Sequence, residues 1–201
     1  MYKDFLLTIK KTSIISEMVR RNRVYSQTVQ VLAYRIHLQN NKIHMKILGI
    51  DPGTQVAGYG VIEIAGSKIV AIEYGSIKVN KNQTFPQRLQ TIHGKIMDII
   101  SKHQPDEMAV EEVFYSKNIK SAIKIGEGRG IVFLCAASAN IPIAEYAATV
   151  IKKAVVGNGN AQKEQVQEMV KIILNLPEIP EPRDASDALA IAICHSHNLR
   201  C

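Results

Sequence analysis

A chain of 201 residues with 46% apolar and 21% charged side chains is long enough for one domain with a core of useful size, and its composition excludes an intrinsically disordered protein. Its net charge of +7 invites a nucleic-acid reading, yet residues 1–44 hold eight Lys/Arg against two acids, and the rest of the chain carries only +1, so charge alone does not make the main domain a DNA binder. Cys135, Cys194 and Cys201 form no CxxC pair, which argues against a disulfide framework or thiolate zinc site, and no apolar run nears the roughly 20 residues of a bilayer span, so a soluble, cytoplasmic protein without a membrane partner is expected.

Residues 1–44 are basic, rich in hydroxyl groups and poor in Gly and Pro, with a stretch at 14–38 compatible with an amphipathic helix. Three readings compete: an organellar transit-type segment, a DNA-contacting arm, and an extension outside the fold. We take the third, because "MKILGID" opens a strand directly after Met45, and we assign the folded domain to 45–201. Strands are expected at 46–51, 57–65 and 68–78, joined by turns at Pro52-Gly53 and Gly66-Ser67 into an antiparallel meander. In "FPQRLQTIHGKIMDIISKH", Leu89, Ile92, Ile96, Ile99 and Ile100 recur at helical spacing, with Pro86 near the start. "EMAVEEVF" reads as a short strand, "NIKSAIKIGEGRGIVFLCAASAN" as a long helix containing glycines, and "IPIAEY" as another strand. Helices follow at 147–155, 161–175 and 184–198. This order predicts an α/β domain: a mixed five-stranded sheet with helices on both faces.

Asp51 closes the first strand directly before Pro52-Gly53, and Glu111 or Glu112 closes the fourth. In "EPRDASDALAIAI", Asp184 and Asp187 stand three apart in the first turn of an apolar helix and share a face. Each acid has a structural explanation of its own. Asp51 suits a turn, Asp184 an N-cap and Asp187 the positive end of a helix dipole, while one of two adjacent glutamates must face the opposite way. Taken together, three remote elements deliver carboxylates to strand ends, where α/β sheets present functional groups to a crevice. Packed carboxylates repel unless a cation lies among them, and few lysines are near in sequence. Oxygen-only donors favour Mg²⁺ or Mn²⁺ over zinc. Two such ions about 3.5–4 Å apart hold a phosphodiester for in-line displacement, so a metal-dependent phosphodiester hydrolase is expected.

Four stretches carry a family resemblance: "GIDPGTQVAGYGV", "AVEEVFYSKN", "EYAATVIKKAVVGNGNAQKEQV" and "DASDALAIAICHSH". In this order, from about Met45 to His197, they resemble the RuvC family of Holliday-junction resolvases. The resemblance implies an RNase H-like fold, a homodimer, association with the RuvA–RuvB branch-migration complex, and Mg²⁺-dependent resolution of four-way DNA junctions by paired symmetric nicks in recombination and repair. Carried over by position, the catalytic and metal-binding acids fall on Asp51, Glu111, Asp184 and Asp187, which would hold two Mg²⁺ ions, with Mn²⁺ able to substitute. The resemblance, not geometry, selects Glu111 over Glu112. Phe114 matches an aromatic used against junction bases, and Lys152 and Lys163 match lysines implicated in DNA contacts. Gln55 stands where members often carry arginine, the chain ends four residues after His197, and residues 1–44 have no counterpart in the family pattern.

Weaker signals surround these motifs. Lys117, Lys120 and Lys124 form a stripe at helical spacing beside Phe114 and Tyr115, which suits a DNA-facing surface. The apolar, small-residue stretch from Ile125 to Ala137 suits packing against its own copy across a two-fold axis. "GEGRG" at 126–130 lacks the preceding strand and the Lys-Ser/Thr of a phosphate loop, so that reading is set aside. On a helix the two histidines of "CHSH" point about 200° apart, which favours a helix-end role over metal ligation. Two rival functions share features of these motifs. An ATP-binding protein of the actin and sugar-kinase type shares an Asp-x-Gly-Thr turn but needs two copies of the fold and a second phosphate loop. A YqgF-type RNA-processing nuclease is closer, but the paired aspartates and the lysine-bearing "VIKKAVVGNGNAQK" favour the resolvase.

Overall fold

Two runs of the chain, residues 44–112 and 119–199, are described by the computed structural model. Three strands open the fold: β1 (His44–Asp51), β2 (Val56–Ala65) and β3 (Lys68–Lys78). They pair antiparallel in sequence order, as the two Gly-containing turns predict. Helix α1 (Phe85–His103) follows, with Pro86 in its first turn and the Thr84 N–H donating to the Gln87 side chain at 2.9 Å. Next come β4 (Glu107–Glu111), α2 (Ile119–Ala139), β5 (Ile143–Tyr146), α3 (Ala148–Val156), α4 (Lys163–Ile173) and α5 (Arg183–Leu199). Strands β4 and β5 run parallel to β1, giving a mixed sheet of order β3-β2-β1-β4-β5.

The central strands are apolar at nearly every position because both sheet faces are covered. Alternation divides their side chains. Leu48, Ile50, Val61, Met108 and Val110 enter a core with Ile92, Ile96 and Ile99 of α1 and with Val132, Cys135 and Ala136 of α2. The other face meets α5, whose Ala188, Leu189, Ala190, Ile191, Ala192 and Ile193 are all buried. Three glycines allow that helix to lie close. A Cβ on Gly49 would fall 2.2 Å from the Ala188 carbonyl oxygen, one on Gly58 1.9 Å from the Asp184 carbonyl oxygen, and one on Gly60 2.8 Å from Leu189. The backbone of α5 therefore takes the space that side chains on β1 and β2 would fill.

Predicted and observed elements differ mainly at their ends. Strand β1 begins at His44, whose ring lies 3.1 Å from Glu63 across the β1–β2 pair, so the first strand starts ahead of Met45. Strand β4 stops at Glu111, and its predicted continuation to Phe114 falls outside the described residues apart from Glu112. Helix α5 begins at Arg183, which puts Asp184 inside the first turn rather than at an N-cap.

Candidate active site

Asp51 is the last residue of β1 and follows Gly49 in the alternation, so it stands on the α5 face. Its antiparallel partner is Gly58, and it is there that the Asp184 backbone presses on the sheet. Glu111 ends β4, the parallel neighbour of β1, one step beyond the Ile50–Val110 pair. On that strand Met108 and Val110 enter the α1/α2 core, which leaves Glu107, Ala109 and Glu111 facing α5. The alternation separates the adjacent glutamates that residue-level reading left open: Glu111 is half-buried on the same face as Asp51, while Glu112 is exposed. The turn after Asp51 is held from both sides. A Cβ on Gly53 would lie 2.0 Å from the Val56 carbonyl oxygen, and one on Gly128 of α2 would lie 3.5 Å from the Gly53 backbone and 3.6 Å from the Thr54 side-chain methyl. Of the three glycines in the "GEGRG" stretch, Gly128 is the one that lies against the Asp51 turn.

The electrostatics tie the four acids together. Burial, followed by the charges of Asp187, Glu111 and Asp184, raises the Asp51 carboxyl to about 7, with Lys163 opposing. Glu111 is also pushed up, first by burial and then by Asp187, while Lys163, Lys152 and Arg129 pull it down. Lys163 at the start of α4 donates to Asp187 Oδ2 at 3.0 Å and is raised by that bond and by the acids around it. Lysines distant in sequence thus reach the acids after all: Lys163 from α4 and Lys152 from α3.

Arg129 was not singled out by the sequence reading. It pairs with Glu145 of β5, lies 5.4 Å from the Phe133 ring centroid, and leaves its buried Nε without a partner among the described residues. The available signal was an arginine directly before the apolar stretch 130–137, in a helix that also carries Lys120, Lys124 and Glu127. Phe114, Tyr115 and Lys117, and the side chains of Lys120 and Lys124, lie outside the described residues.

The donor chemistry fits a hard divalent cation: four carboxylates, with no thiol or imidazole among the charges that act on Asp51. The cluster is not closed around one. Among the described residues, no three Asp, Glu, His or Cys side chains are gathered tightly enough to hold a metal as they stand. The two histidines of "CHSH" are occupied elsewhere. His195 accepts from the Tyr146 hydroxyl at 2.7 Å and donates to Glu107 Oε2 at 2.6 Å, a buried chain joining α5 to β5 and β4. His197 donates to the Ala154 carbonyl at 3.1 Å.

A five-stranded mixed sheet of this order, covered by helices on both faces and carrying acids at the ends of two neighbouring strands and on its final helix, is an RNase H-like fold. A family model described as Crossover junction endodeoxyribonuclease RuvC matches residues 47–195. A relative of that name from Geotalea uraniireducens is 48% identical over 154 residues, covering 77% of this chain and 90% of its own length. Another from Dehalococcoides mccartyi is 50% identical over 151 residues, covering 75% and 90%. The structure of Thermus thermophilus RuvC in complex with a Holliday junction substrate superposes with a TM-score of 0.74 at 35% identity, over 78% of this chain and 96% of that one. The chain belongs to the RuvC family of crossover junction endodeoxyribonucleases. Membership decides against both rivals, the sugar-kinase-type ATP-binding protein and the YqgF-type nuclease.

Proposed function

We propose that Asp51, Glu111, Asp184 and Asp187 form the metal centre with which this endonuclease cuts four-way DNA junctions, using two Mg²⁺ ions that Mn²⁺ can replace. The observation that carries the reading is the effect of three remote acids on Asp51: Glu111, Asp184 and Asp187 all act on a carboxyl raised to about 7. Burial is the largest cause of that rise and the repulsion of the three acids adds to it; divalent charge relieves both. When bound, the ions supply positive charge that activates an attacking water and stabilises the departing 3′ oxygen, leaving 5′-phosphate ends. Asp51 and Glu111 offer oxygens from a rigid sheet, Asp184 from the first turn of a buried helix and Asp187 from just beyond that turn, so strand and helix fix the donors independently. Lys152 and Lys163 flank the acids and serve the phosphate backbone; Phe114 and Lys117 are assigned to junction bases and backbone.

Selectivity in this reading comes from junction shape and the charged path of the arms, with base preference secondary. A homodimer presents two centres to two strands of a roughly two-fold junction and accounts for paired nicks. The RuvA–RuvB complex is assigned as its partner machinery, and the cytoplasm as its compartment, in keeping with buried free thiols at Cys135 and Cys194. Residues 1–43 are assigned as an extension outside the nuclease domain, which begins at His44 in β1.

The test is cleavage of labelled four-way junction and linear duplex by wild type and Asp184→Asn, in Mg²⁺ and in chelator. The expected outcome is Mg²⁺-dependent paired nicking of the junction alone, reduced at least about 100-fold in the variant. Equal cutting of both substrates, or an unimpaired variant, contradicts the reading.

A further inference from the structure

Lys163 is the cation bound directly into the acid cluster. Its ammonium donates to Asp187 Oδ2 at 3.0 Å, and its charge is felt at both Asp51 and Glu111. It stands at the first residue of α4, so its long side chain reaches the acids from outside the sheet and keeps 66% of its surface in solvent. An ion pair so exposed is weak and exchanges readily. Asp187 is only 24% exposed, and its charge is the largest acidic influence on both Asp51 and Glu111. The acids are not gathered into a closed metal cage, and one of the four is already engaged by a lysine.

We propose that the Lys163 ammonium is a resident counter-ion of the metal-free site, which gives up Asp187 when a divalent cation binds and is thereby released to a DNA phosphate. This inference rests on the metal-centre reading above. The exchange makes and breaks no covalent bond: Asp187 trades one ammonium hydrogen bond for a metal–oxygen contact, and Lys163 trades a carboxylate for a phosphate oxygen. Two consequences follow. In the absence of DNA, Lys163 competes with the metal, so the free protein holds Mg²⁺ more weakly than its four carboxylates alone allow. In the presence of DNA, the phosphate removes the competitor, so metal and DNA each tighten the other's binding by the same factor. A residue serving only as a DNA contact produces neither effect.

The experiment is Mg²⁺ titration of the DNA-free full-length protein by calorimetry at low ionic strength, comparing wild type, Lys163→Gln, Lys163→Arg and Lys152→Gln, with circular dichroism confirming that each is folded. Lys152 also pulls on Glu111 but is not hydrogen-bonded to Asp187, so its variant reports the general loss of one positive charge. The expected result is that Lys163→Gln binds Mg²⁺ roughly two- to fivefold more tightly than wild type. The gain should exceed that of Lys152→Gln, and Lys163→Arg should stay near wild type. Equal affinity in wild type and Lys163→Gln, or an equal gain in Lys152→Gln, overturns the counter-ion role while leaving the metal centre standing. If wild type and all variants fail to bind Mg²⁺, the metal-centre reading falls and the inference with it.

Discussion

Asp51 concentrates the electrostatic tension of the molecule. Its carboxyl rises from an ordinary 3.8 to about 7, so its charged form is disfavoured in the folded state relative to the unfolded one. The stability contributed by neutral Asp51 is therefore fully present below about pH 4 and is lost as pH rises through about 7. Asp51→Asn removes that dependence without changing shape. A shift of this size sets an upper bound of about 4 kcal/mol, and Asp51 retains some solvent contact, so we expect a gain of about 1–2 kcal/mol. Thermal or urea unfolding in chelator should show Asp51→Asn more stable than wild type at pH 8 and equal to it near pH 4. A variant no more stable at pH 8 removes the claim that burial and the neighbouring acids disfavour the Asp51 charge. His195 makes the contrast: its bonds to Tyr146 and Glu107 give it a structural place.

Among the elements, α5 decides the geometry of the site, and the glycines of β1 and β2 decide how close α5 comes. Gly49→Ala places a methyl group 2.2 Å from a helix carbonyl oxygen, so helix or sheet must shift. We expect a loss of about 3 kcal/mol, at the upper end of ordinary overpacking, together with impaired cleavage as Asp184 and Asp187 move away from Asp51. Gly94 in α1 is the control, because a Cβ there meets nothing within 4 Å. Gly94→Ala should stabilise by about 0.5–1 kcal/mol in chemical denaturation and leave cleavage unchanged. A well-tolerated Gly49→Ala contradicts the role given to the close approach. The first three strands were readable because apolar alternation and Pro-Gly or Gly-Ser turns are local signals, and α1 because its isoleucines keep helical spacing. The glycines of β1 and β2 were not readable as docking positions: a glycine in a strand does not announce which helix backbone will lie over it. The N-cap reading of Asp184 failed for a related reason, since the helix starts one residue earlier, at Arg183.

On the scale of the whole molecule, the site is assembled from parts that are far apart in the chain, which fixes how much of it residues alone disclose. The types and positions of Asp51, Asp184 and Asp187 pointed to a shared carboxylate centre, because strand ends and a helix first turn are recognisable in sequence. The family resemblance chose Glu111 over Glu112 without a physical reason, and the sheet supplies one: alternation along β4 puts Glu111 toward α5 and leaves Glu112 exposed. The cations needed the fold as well: Lys163, Lys152 and Arg129 come from α4, α3 and α2, and nothing local relates them to Glu111. Their arrival also explains why an overall charge of +7 says little about the site, where the decisive balance is four acids against a few converging bases. The most direct measurement is the anomalous-scattering map of crystals soaked in Mn²⁺. Density should appear among the carboxylates of Asp51, Glu111, Asp184 and Asp187, with Lys163 turned away from Asp187. Mn²⁺ bound elsewhere, with these four side chains still apart, would contradict the shared metal centre.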